Sequence, residues 1–397
     1  MHYFSHISQA EQESIFFKKP QVFSKYTARE ELQYALGAAL YMPATIPNIK
    51  DRLISGRLQG LTTAVLCLED AISDHEVQEA EIKLMRELKL IHTMMLSGFL
   101  HADELPLLFV RVRSLDQLHL MINELGTSIE VLTGIAIPKF KAANGLPYLQ
   151  LIRKVYDEIG PLYALPILES KQIIFKDTRF KELEALKQMF SVHKDIILNI
   201  RIGATDFSGL FGIRRPADFT IYDVAVVRDV ITDILNCFSR EENYFTISAP
   251  VWEYFSKKGT HQGNPDSGES SGYHPYHSKE EAGLIREVLF DLTNGLIGKT
   301  VIHPSHISIV QALQAVSYEN YMDAAAISAG AEGNLGVLKS EYANKMNETK
   351  PHRFWAEKIL QKSKIYGVLY EERTFIDLLT PTTNVSYSKK FIHKSGY

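Results

Sequence analysis

Short apolar segments alternate with segments of helical period along most of the chain. Eight apolar segments are predicted to be strands, at residues 36–42, 62–68, 107–113, 133–138, 163–168, 197–203, 243–249 and 299–303. Between them, stretches such as 76–95 and 146–160 place apolar residues every three to four positions, which is typical of amphipathic helices. Parallel strands need crossover helices, so this alternation predicts an α/β fold, a (β/α)8 TIM barrel. A doubly wound open sheet is the structural alternative.

Three regions lie outside this alternation. Residues 256–280 are rich in Gly, Ser, His and Pro and show no period, which predicts a flexible insertion loop within the barrel domain. We expect an N-terminal extension at 1–35, the barrel at 36–325, and a C-terminal helical segment with a loose tail at 326–397.

The composition is that of an ordinary globular enzyme, with 45% hydrophobic and 23% charged residues. The formal net charge of -4 offers no broad basic surface for nucleic acid. The sequence contains no run of eighteen or more apolar residues, so no membrane span is expected. The first twenty residues lack the apolar segment of a signal peptide. Cys67 and Cys237 lie in apolar segments far apart, which favours buried free thiols and a cytoplasmic location.

Charged side chains follow most of the predicted strands. In chain order they are Glu69 and Asp70, Arg111 and Arg113, Lys139, Glu169, Asp206 and His303. Active-site groups of TIM barrels lie at the carboxyl ends of the strands, and a desolvated charge is costly unless it is matched. The set as a whole therefore indicates a functional site. Taken singly, Glu69-Asp70 is better explained as a helix cap, Lys139 as a solvated lysine and His303 as a satisfied histidine.

Glu169 and Asp206 follow adjacent predicted strands, so their carboxylates should lie close together. Two such carboxylates repel each other, and one takes up a proton unless a cation lies between them. Oxygen ligands favour Mg²⁺, which keeps several waters and leaves positions open for a substrate. Each acid alone could equally pair with an arginine or cap the next helix. Together they predict a Mg²⁺ site.

Arg111 and Arg113 alternate with valines, so both point to the same face of their strand. A guanidinium in the barrel interior suits a carboxylate or an oxyanion, and we favour the interior for Arg111. For Arg113, at the predicted mouth, a substrate contact and a plain surface charge are equally good interpretations. We also assign Gly203, Ala204 and Thr205, just before Asp206, to substrate binding.

The order of short motifs resembles the HpcH/HpaI aldolase and citrate lyase β-subunit (CitE-like) family. The motifs are LYMPAT, AVLCLEDAI, LFVRVR, GIAIPKF, LPILES, IRIGATDFSGLFG and GLIGKTVIHPSHI, over roughly residues 36 to 320. The long polar loop and the N-terminal stretch look like the C–C bond lyase branch found beside bacterial tellurite-resistance and stress genes. The resemblance implies a TIM barrel that makes or cleaves carbon–carbon bonds and commonly forms trimers or hexamers.

By this resemblance, Glu169 and Asp206 match the metal ligands of the family, and Arg111 matches its substrate-binding arginine. Glu69 and Asp70 match acids near the metal, and we assign them with Arg111 to catalysis. The family signature at the last strand matches Gly295, Gly298, Lys299, Ile302, His303 and Pro304.

Three departures from the family pattern change the expected substrate. Arg113 replaces an asparagine, Ser248 stands where members that cleave acyl-CoA have aspartate, and Val77 and Glu81 stand near the usual basic positions. These changes leave the metal site intact but argue against a CoA thioester.

The resulting hypothesis is a Mg²⁺-dependent carbon–carbon lyase or aldolase acting on a small 2-oxo or hydroxy carboxylic acid. Charge that develops on an enolate or alkoxide oxygen would be stabilised by the metal and Arg111. The alternative is a binding protein with the same metal site that recognises a carboxylated or phosphorylated metabolite without turnover. In either case we expect a cytoplasmic homo-oligomer.

Overall fold

The computed structural model describes residues 1–256, 278–332, 337–339 and 345–379. Most of the predicted insertion loop at 256–280 and the predicted tail after residue 379 lie outside these ranges. Among the helices in these ranges, none has the length and apolar character needed to cross a bilayer. Both cysteines are free thiols, as predicted, with Cys67 buried and Cys237 half-buried.

Eight parallel strands form the central sheet of the protein. The strands in the described ranges are β1 (Phe16–Lys18), β2 (Ala38–Pro43), β3 (Thr63–Cys67), β4 (Leu107–Arg111), β5 (Gly134–Ile137), β6 (Tyr163–Leu168), β7 (Ile200–Ile202), β8 (Ile247–Ser248), β9 (Lys299–Val301), β10 (Val337–Lys339), β11 (Met346–Glu348) and β12 (Val368–Leu369). The spatial order in this sheet is β8-β7-β6-β5-β4-β3-β2-β9. All eight predicted strands are therefore confirmed, although β7 and β8 are shorter than expected.

Backbone hydrogen bonds between β8 and β9 close the sheet. The Ala249 N–H donates to Gly298 O at 3.0 Å, and the Thr300 N–H donates to Ala249 O at 3.1 Å. Because the first and last strands of the order are joined, the structure is a closed (β/α)8 barrel. The predicted TIM barrel is confirmed, and the open-sheet alternative is wrong.

Helices between the strands cover the outside of the barrel. The helices of the described ranges are α1 (Gln9–Ile15), α2 (Arg29–Leu32), α3 (Ile49–Ile54), α4 (Val77–Leu96), α5 (Leu115–Leu125), α6 (Gly145–Glu158), α7 (Lys171–Ile174), α8 (Lys176–Val192), α9 (Ala204–Gly209), α10 (Ala225–Phe238), α11 (Lys279–Thr293), α12 (Ser305–Ala312), α13 (Tyr318–Glu332) and α14 (Thr349–Tyr366). Of these, α13 and α14 pack chiefly against each other. The predicted helices at 76–95 and 146–160 correspond to α4 and α6. In α5, the buried residues Leu118, Met121 and Leu125 have the spacing of one helix face.

Side chains of each strand alternate between two apolar layers. In β6, Ala164 and Leu168 pack between the barrel and its helices. Leu165 and Ile167 belong to the second layer, which fills the barrel interior. By the same alternation, side chains on the inward face just past the strand ends lie at the mouth of the barrel.

The N-terminal segment closes the opposite end of the barrel. Lys25 Nζ donates to Glu130 O at 2.6 Å and Leu132 O at 2.8 Å, just before β5. Arg29 donates from Nε and Nη2 to Ile197 O, before β7, at 3.0 and 2.7 Å. Tyr3 is buried among the interior residues. Because the N-terminal segment covers the amino end of the barrel, the carboxyl end is the end at which a ligand can bind. The domain boundaries stay a prediction.

Candidate functional site

Six charged side chains follow five neighbouring strands of the barrel. They are Glu69 and Asp70 after β3, Arg111 at the end of β4, Lys139 after β5, Glu169 after β6 and Asp206 in α9 after β7. Since the five strands are parallel and adjacent, their carboxyl ends meet at one part of the mouth. The structure thus brings together the acids, Arg111 and Lys139 from the set of charged residues that the sequence placed after the strands.

Glu69 and Asp70 are bonded to two cations. Arg111 Nη2 donates to Glu69 Oε2 and, at 2.7 Å, to Asp70 Oδ2. Lys139 Nζ lies 2.5 Å from Glu69 Oε1 and 3.6 Å from Asp70 Oδ1. The next helical turn is capped by Ser73, so the helix-cap interpretation of the two acids is wrong. Their geometry instead fixes Arg111 and Lys139 at the mouth.

Glu169 is a buried carboxylate, 5% exposed, beside Asp206. Its Oε1 accepts a hydrogen bond from the backbone N–H of Lys139 at 2.8 Å. Burial and the negative charge of Asp206 raise the pKa of Glu169 to about 7. Burial also raises the pKa of Asp206. Burial therefore disfavours the charged form of both carboxyls, and Asp206 further disfavours that of Glu169, as expected of a site built for a cation.

No lysine or arginine forms an ion pair with Glu169 or Asp206 among the residues that the structure describes. The charged side chains that follow β3 to β7 are four carboxylates and the two cations Arg111 and Lys139, so a divalent cation would balance their charge once all four carboxyls are ionised. Within the described ranges there is no group of three or more His, Cys, Asp or Glu side chains placed to hold a metal. Two carboxylates with waters or substrate completing the shell fit Mg²⁺.

Gly203 leaves the space that Glu169 occupies. A Cβ on Gly203 would lie 2.1 Å from Glu169 Oε2 and 2.5 Å from Glu169 Cβ. Neither contact is possible, so any side chain at this position displaces the carboxylate. The glycine before Asp206 is therefore a requirement of the carboxylate pair.

We expect Gly203→Ala to lower the free energy of unfolding by about 1–3 kcal/mol, the usual cost of overpacking, and to weaken Mg²⁺ binding. Chemical denaturation and calorimetric titration with Mg²⁺ measure the two effects. Gly209→Ala, at the end of the helix that Gly203 precedes, is the control, because a Cβ there meets nothing within 4 Å. Equal free energies of unfolding and equal Mg²⁺ affinities of the two variants would contradict this role of Gly203.

The other residues assigned to substrate binding differ in their access to the mouth. Arg113 donates to Asp74 Oδ1 at 2.5 Å and to Leu68 O at 3.3 Å, so it braces the loop after β3. Ala204 packs in the layer between barrel and helices, which leaves only its backbone for a ligand. Thr205 is exposed, and its Oγ1 lies 3.4 Å from Glu253 Oε1.

The family signature at the last strand has a structural explanation. Lys299 is fully buried outside the barrel interior, and its Nζ lies 2.9 Å from Glu287 Oε1 and 2.8 Å from Asp291 Oδ2. His303 stacks on Phe255 with ring centroids 4.5 Å apart. Arg215, in the loop after Asp206, contacts Glu287 and Glu253, so that segment is held by buried charges.

Sequence reasoning missed two polar residues near the mouth. Glu253 follows β8 and is held by Arg215 Nη2 at 2.9 Å. Arg201 is an arginine within the apolar strand β7, and it is 1% exposed. A charged residue between isoleucines on an inward-facing position was a signal that could have identified Arg201.

Comparison with known proteins places the chain among enzymes of one type. A family model described as C–C bond lyase of the TIM-barrel fold matches residues 30–368. No curated protein matches the chain at a significant level.

Two similar solved structures share the fold. One is CitE from Mycobacterium tuberculosis in complex with magnesium, acetoacetate and coenzyme A, at 19% identity and a TM-score of 0.50, covering 83% of this chain and 99% of that one. The other is a citrate lyase from Burkholderia xenovorans LB400, at 14% identity and a TM-score of 0.57, covering 87% and 96%.

Proposed function

The chain belongs to the C–C bond lyase family of the TIM-barrel fold, and on that premise we propose a Mg²⁺-dependent lyase for a small 2-oxo or hydroxy carboxylic acid. The observation that carries the proposal is the neighbouring pair of Glu169 and Asp206, with which no described lysine or arginine forms an ion pair, beside Glu69 and Asp70. The magnesium in the CitE structure from Mycobacterium tuberculosis supports it.

In this proposal Glu169 and Asp206 hold the metal through carboxylate oxygens. Bound Mg²⁺ would orient the substrate carboxylate and stabilise negative charge on oxygen as the carbon–carbon bond breaks or forms. Arg111, 13% exposed, donates hydrogen bonds to the oxygen on which charge develops. Its bonds to Glu69 and Asp70 fix the direction of the guanidinium before the substrate arrives.

Glu69 and Asp70 differ in their access to solvent, which separates their proposed roles. The side chain of Glu69 is 7% exposed and that of Asp70 is 56% exposed. We assign orientation of Arg111 and Lys139 to Glu69. Because Asp70 is open to solvent, we assign to it the transfer of the hydroxyl proton released on cleavage.

The substrate is proposed to be a free acid rather than a CoA thioester. Ser248, at the position where the resemblance places an aspartate in members that cleave acyl-CoA, donates its hydroxyl to Ile297 O at 2.8 Å and is fully buried. Its hydroxyl is therefore engaged within the barrel wall.

The direct test is release of pyruvate or oxaloacetate from a panel of hydroxy acids, with Mg²⁺ and with EDTA. The proposal expects cleavage of at least one compound that depends on Mg²⁺. Tight binding of a ligand without any turnover would instead favour the metal-dependent binding protein.

Mg²⁺ affinity should rise with pH up to about 7 and then level off. The raised pKa of Glu169, about 7, means that the folded protein keeps a proton that the metal must displace below this pH. One displaced proton changes the apparent affinity by about tenfold per pH unit. Without metal, the same shift makes stability fall as the pH rises from about 4.5 to about 7, because the unfolded chain has already lost that proton. Calorimetric titration between pH 5.5 and 8 measures the affinity, and a flat profile would count against the pair as ligands.

A homo-oligomer, a trimer or hexamer, and a cytoplasmic location complete the proposal. Exposed aromatic rings support the oligomer, since Phe211 and Phe219 in the loop after Asp206 are 43% and 51% exposed. Light scattering coupled to size exclusion measures the oligomeric state.

A further inference from the structure

Lys358 and Lys362 form a pair of cations on one face of α14. They are four residues apart, so their side chains are neighbours on the helix surface. Among the described residues neither lysine forms an ion pair with a carboxylate, whereas Lys364 of the same helix pairs with Glu31 at 2.6 Å. Like charges at this spacing destabilise a helix. The pair therefore requires an explanation.

The two ammonium groups lie where protein atoms replace much of the surrounding water. Burial lowers the pKa of Lys358, and burial together with the charge of Lys358 lowers the pKa of Lys362 to about 8. No described carboxylate offsets this effect on either lysine. Both side chains are half-buried and keep some accessible surface, so an anion from solvent can reach them.

Aromatic rings lie against the ammonium group of Lys358. Its Nζ lies 5.1 Å from the ring centroid of Tyr244 and 5.2 Å from that of Phe354. The two rings meet edge to face, with their centroids 5.1 Å apart. A Cβ on Gly295 would lie 3.6 Å from Lys358 Nζ, so the ammonium lies over the turn before β9. Ring faces attract a cation only weakly and leave its charge without a counter-ion.

The hydroxyl of Tyr244 supplies a third polar group. Its oxygen is buried beside the phenol of Tyr34 and makes no hydrogen bond of normal geometry within the described ranges. A buried hydroxyl normally has a partner. Tyr244 and Gly295 precede β8 and β9, so this cluster of groups lies at the amino end of the barrel. The proposed metal ligands lie at the opposite end.

We propose that Lys358, Lys362 and Tyr244 bind a phosphate dianion, either inorganic phosphate or the phosphate group of a small metabolite. Two ammonium groups balance a dianion, whereas a chloride or a single carboxylate would leave one positive charge unmatched. Lysine is a common phosphate ligand, and each ammonium has three hydrogen-bond donors. The phenol hydroxyl can donate to a further phosphate oxygen. The site is separate from the mouth of the barrel, so it does not depend on the proposed lyase function.

Calorimetric titration with inorganic phosphate and with glycerol 3-phosphate, in the presence of EDTA, tests the proposal. We expect wild-type protein to bind phosphate far more tightly than chloride at the same ionic strength. Lys358→Met and Lys362→Met should each weaken phosphate binding about tenfold or more, the value of a charge-assisted hydrogen bond. Tyr244→Phe should weaken it by about two- to tenfold, because it removes one neutral hydrogen bond and keeps the ring. Tighter binding of glycerol 3-phosphate would identify a metabolite as the source, and equal or weaker binding would identify free phosphate.

Lys350→Met is the matched control, because Lys350 is an exposed lysine of the same helix and the substitution removes the same charge. It should leave phosphate affinity within about twofold. Without ligand, Lys362→Met should unfold at the same or a higher temperature than wild type, since it removes one of two unpaired like charges. Unchanged phosphate affinity in both Lys358→Met and Lys362→Met would overturn the proposal, as would a wild-type protein that binds phosphate no better than chloride. A failure of the lyase function would leave all of these results unchanged.

Discussion

Glu169→Gln should abolish the stabilisation of the protein by Mg²⁺ and lower lyase turnover by about 10²-fold or more, the range for loss of a group that stabilises developing charge. The amide keeps the size of the side chain but removes the negative charge and one ligand oxygen. Without metal, the variant should be at least as stable as wild type near pH 7.5, because a buried carboxylate beside Asp206 is replaced by a neutral group.

Thermal shift with and without Mg²⁺ and the pyruvate-release assay measure both effects. Glu158→Gln is the matched control, since Glu158 is an exposed acid on α6. Undiminished Mg²⁺ stabilisation of Glu169→Gln would remove the main support for the metal site.

Arg111→Ala should lower turnover by about 10²-fold or more, corresponding to the ~3–4 kcal/mol that a fixed oxyanion donor contributes. The effect should fall on kcat more than on KM, because the developing charge exists only in the transition state. The variant also leaves the buried Glu69 with Lys139 as its cationic partner, so a modest loss of stability should accompany the kinetic effect.

Arg113→Ala is the control on the same segment, because its guanidinium braces Asp74 in the loop after β3. It should change turnover by no more than about fivefold, within the range of a surface ion pair. Full activity of Arg111→Ala would show that another donor stabilises the oxyanion.

The barrel could be predicted because its signal is local and repeated. Each strand is an apolar segment between helical segments, and a strand such as β6 shows the same bounds in sequence and structure, Tyr163–Leu168. Glu169 and Asp206 could be placed together because parallel neighbours end on the same side. The barrel and the proximity of these two acids follow from the order of strands and helices alone, without knowledge of individual side-chain contacts.

The partners of the charged residues could not be predicted in this way. Lys139, after β5, meets Glu69, after β3, across the intervening strand β4, and Arg215 meets Glu287 from a helix far along the chain. Such pairs depend on side-chain directions and on the curvature of the barrel, which the sequence pattern does not contain. Arg201 was overlooked for a related reason, because one charge in an apolar strand has no local partner to suggest its role.

The seal across the amino end of the barrel has a consequence for how the protein is made. β1 pairs with β12, with Phe16 opposite Leu369, and Tyr3 packs on Tyr366 with ring centroids 4.4 Å apart. The N-terminal segment leaves the ribosome long before the C-terminal segment is synthesised. Tyr3 and Phe16 therefore lack their contacts with Tyr366 and Leu369 through most of translation. Such long-range closure is slow and leaves hydrophobic surface uncovered on the nascent chain, the situation in which chaperones are needed.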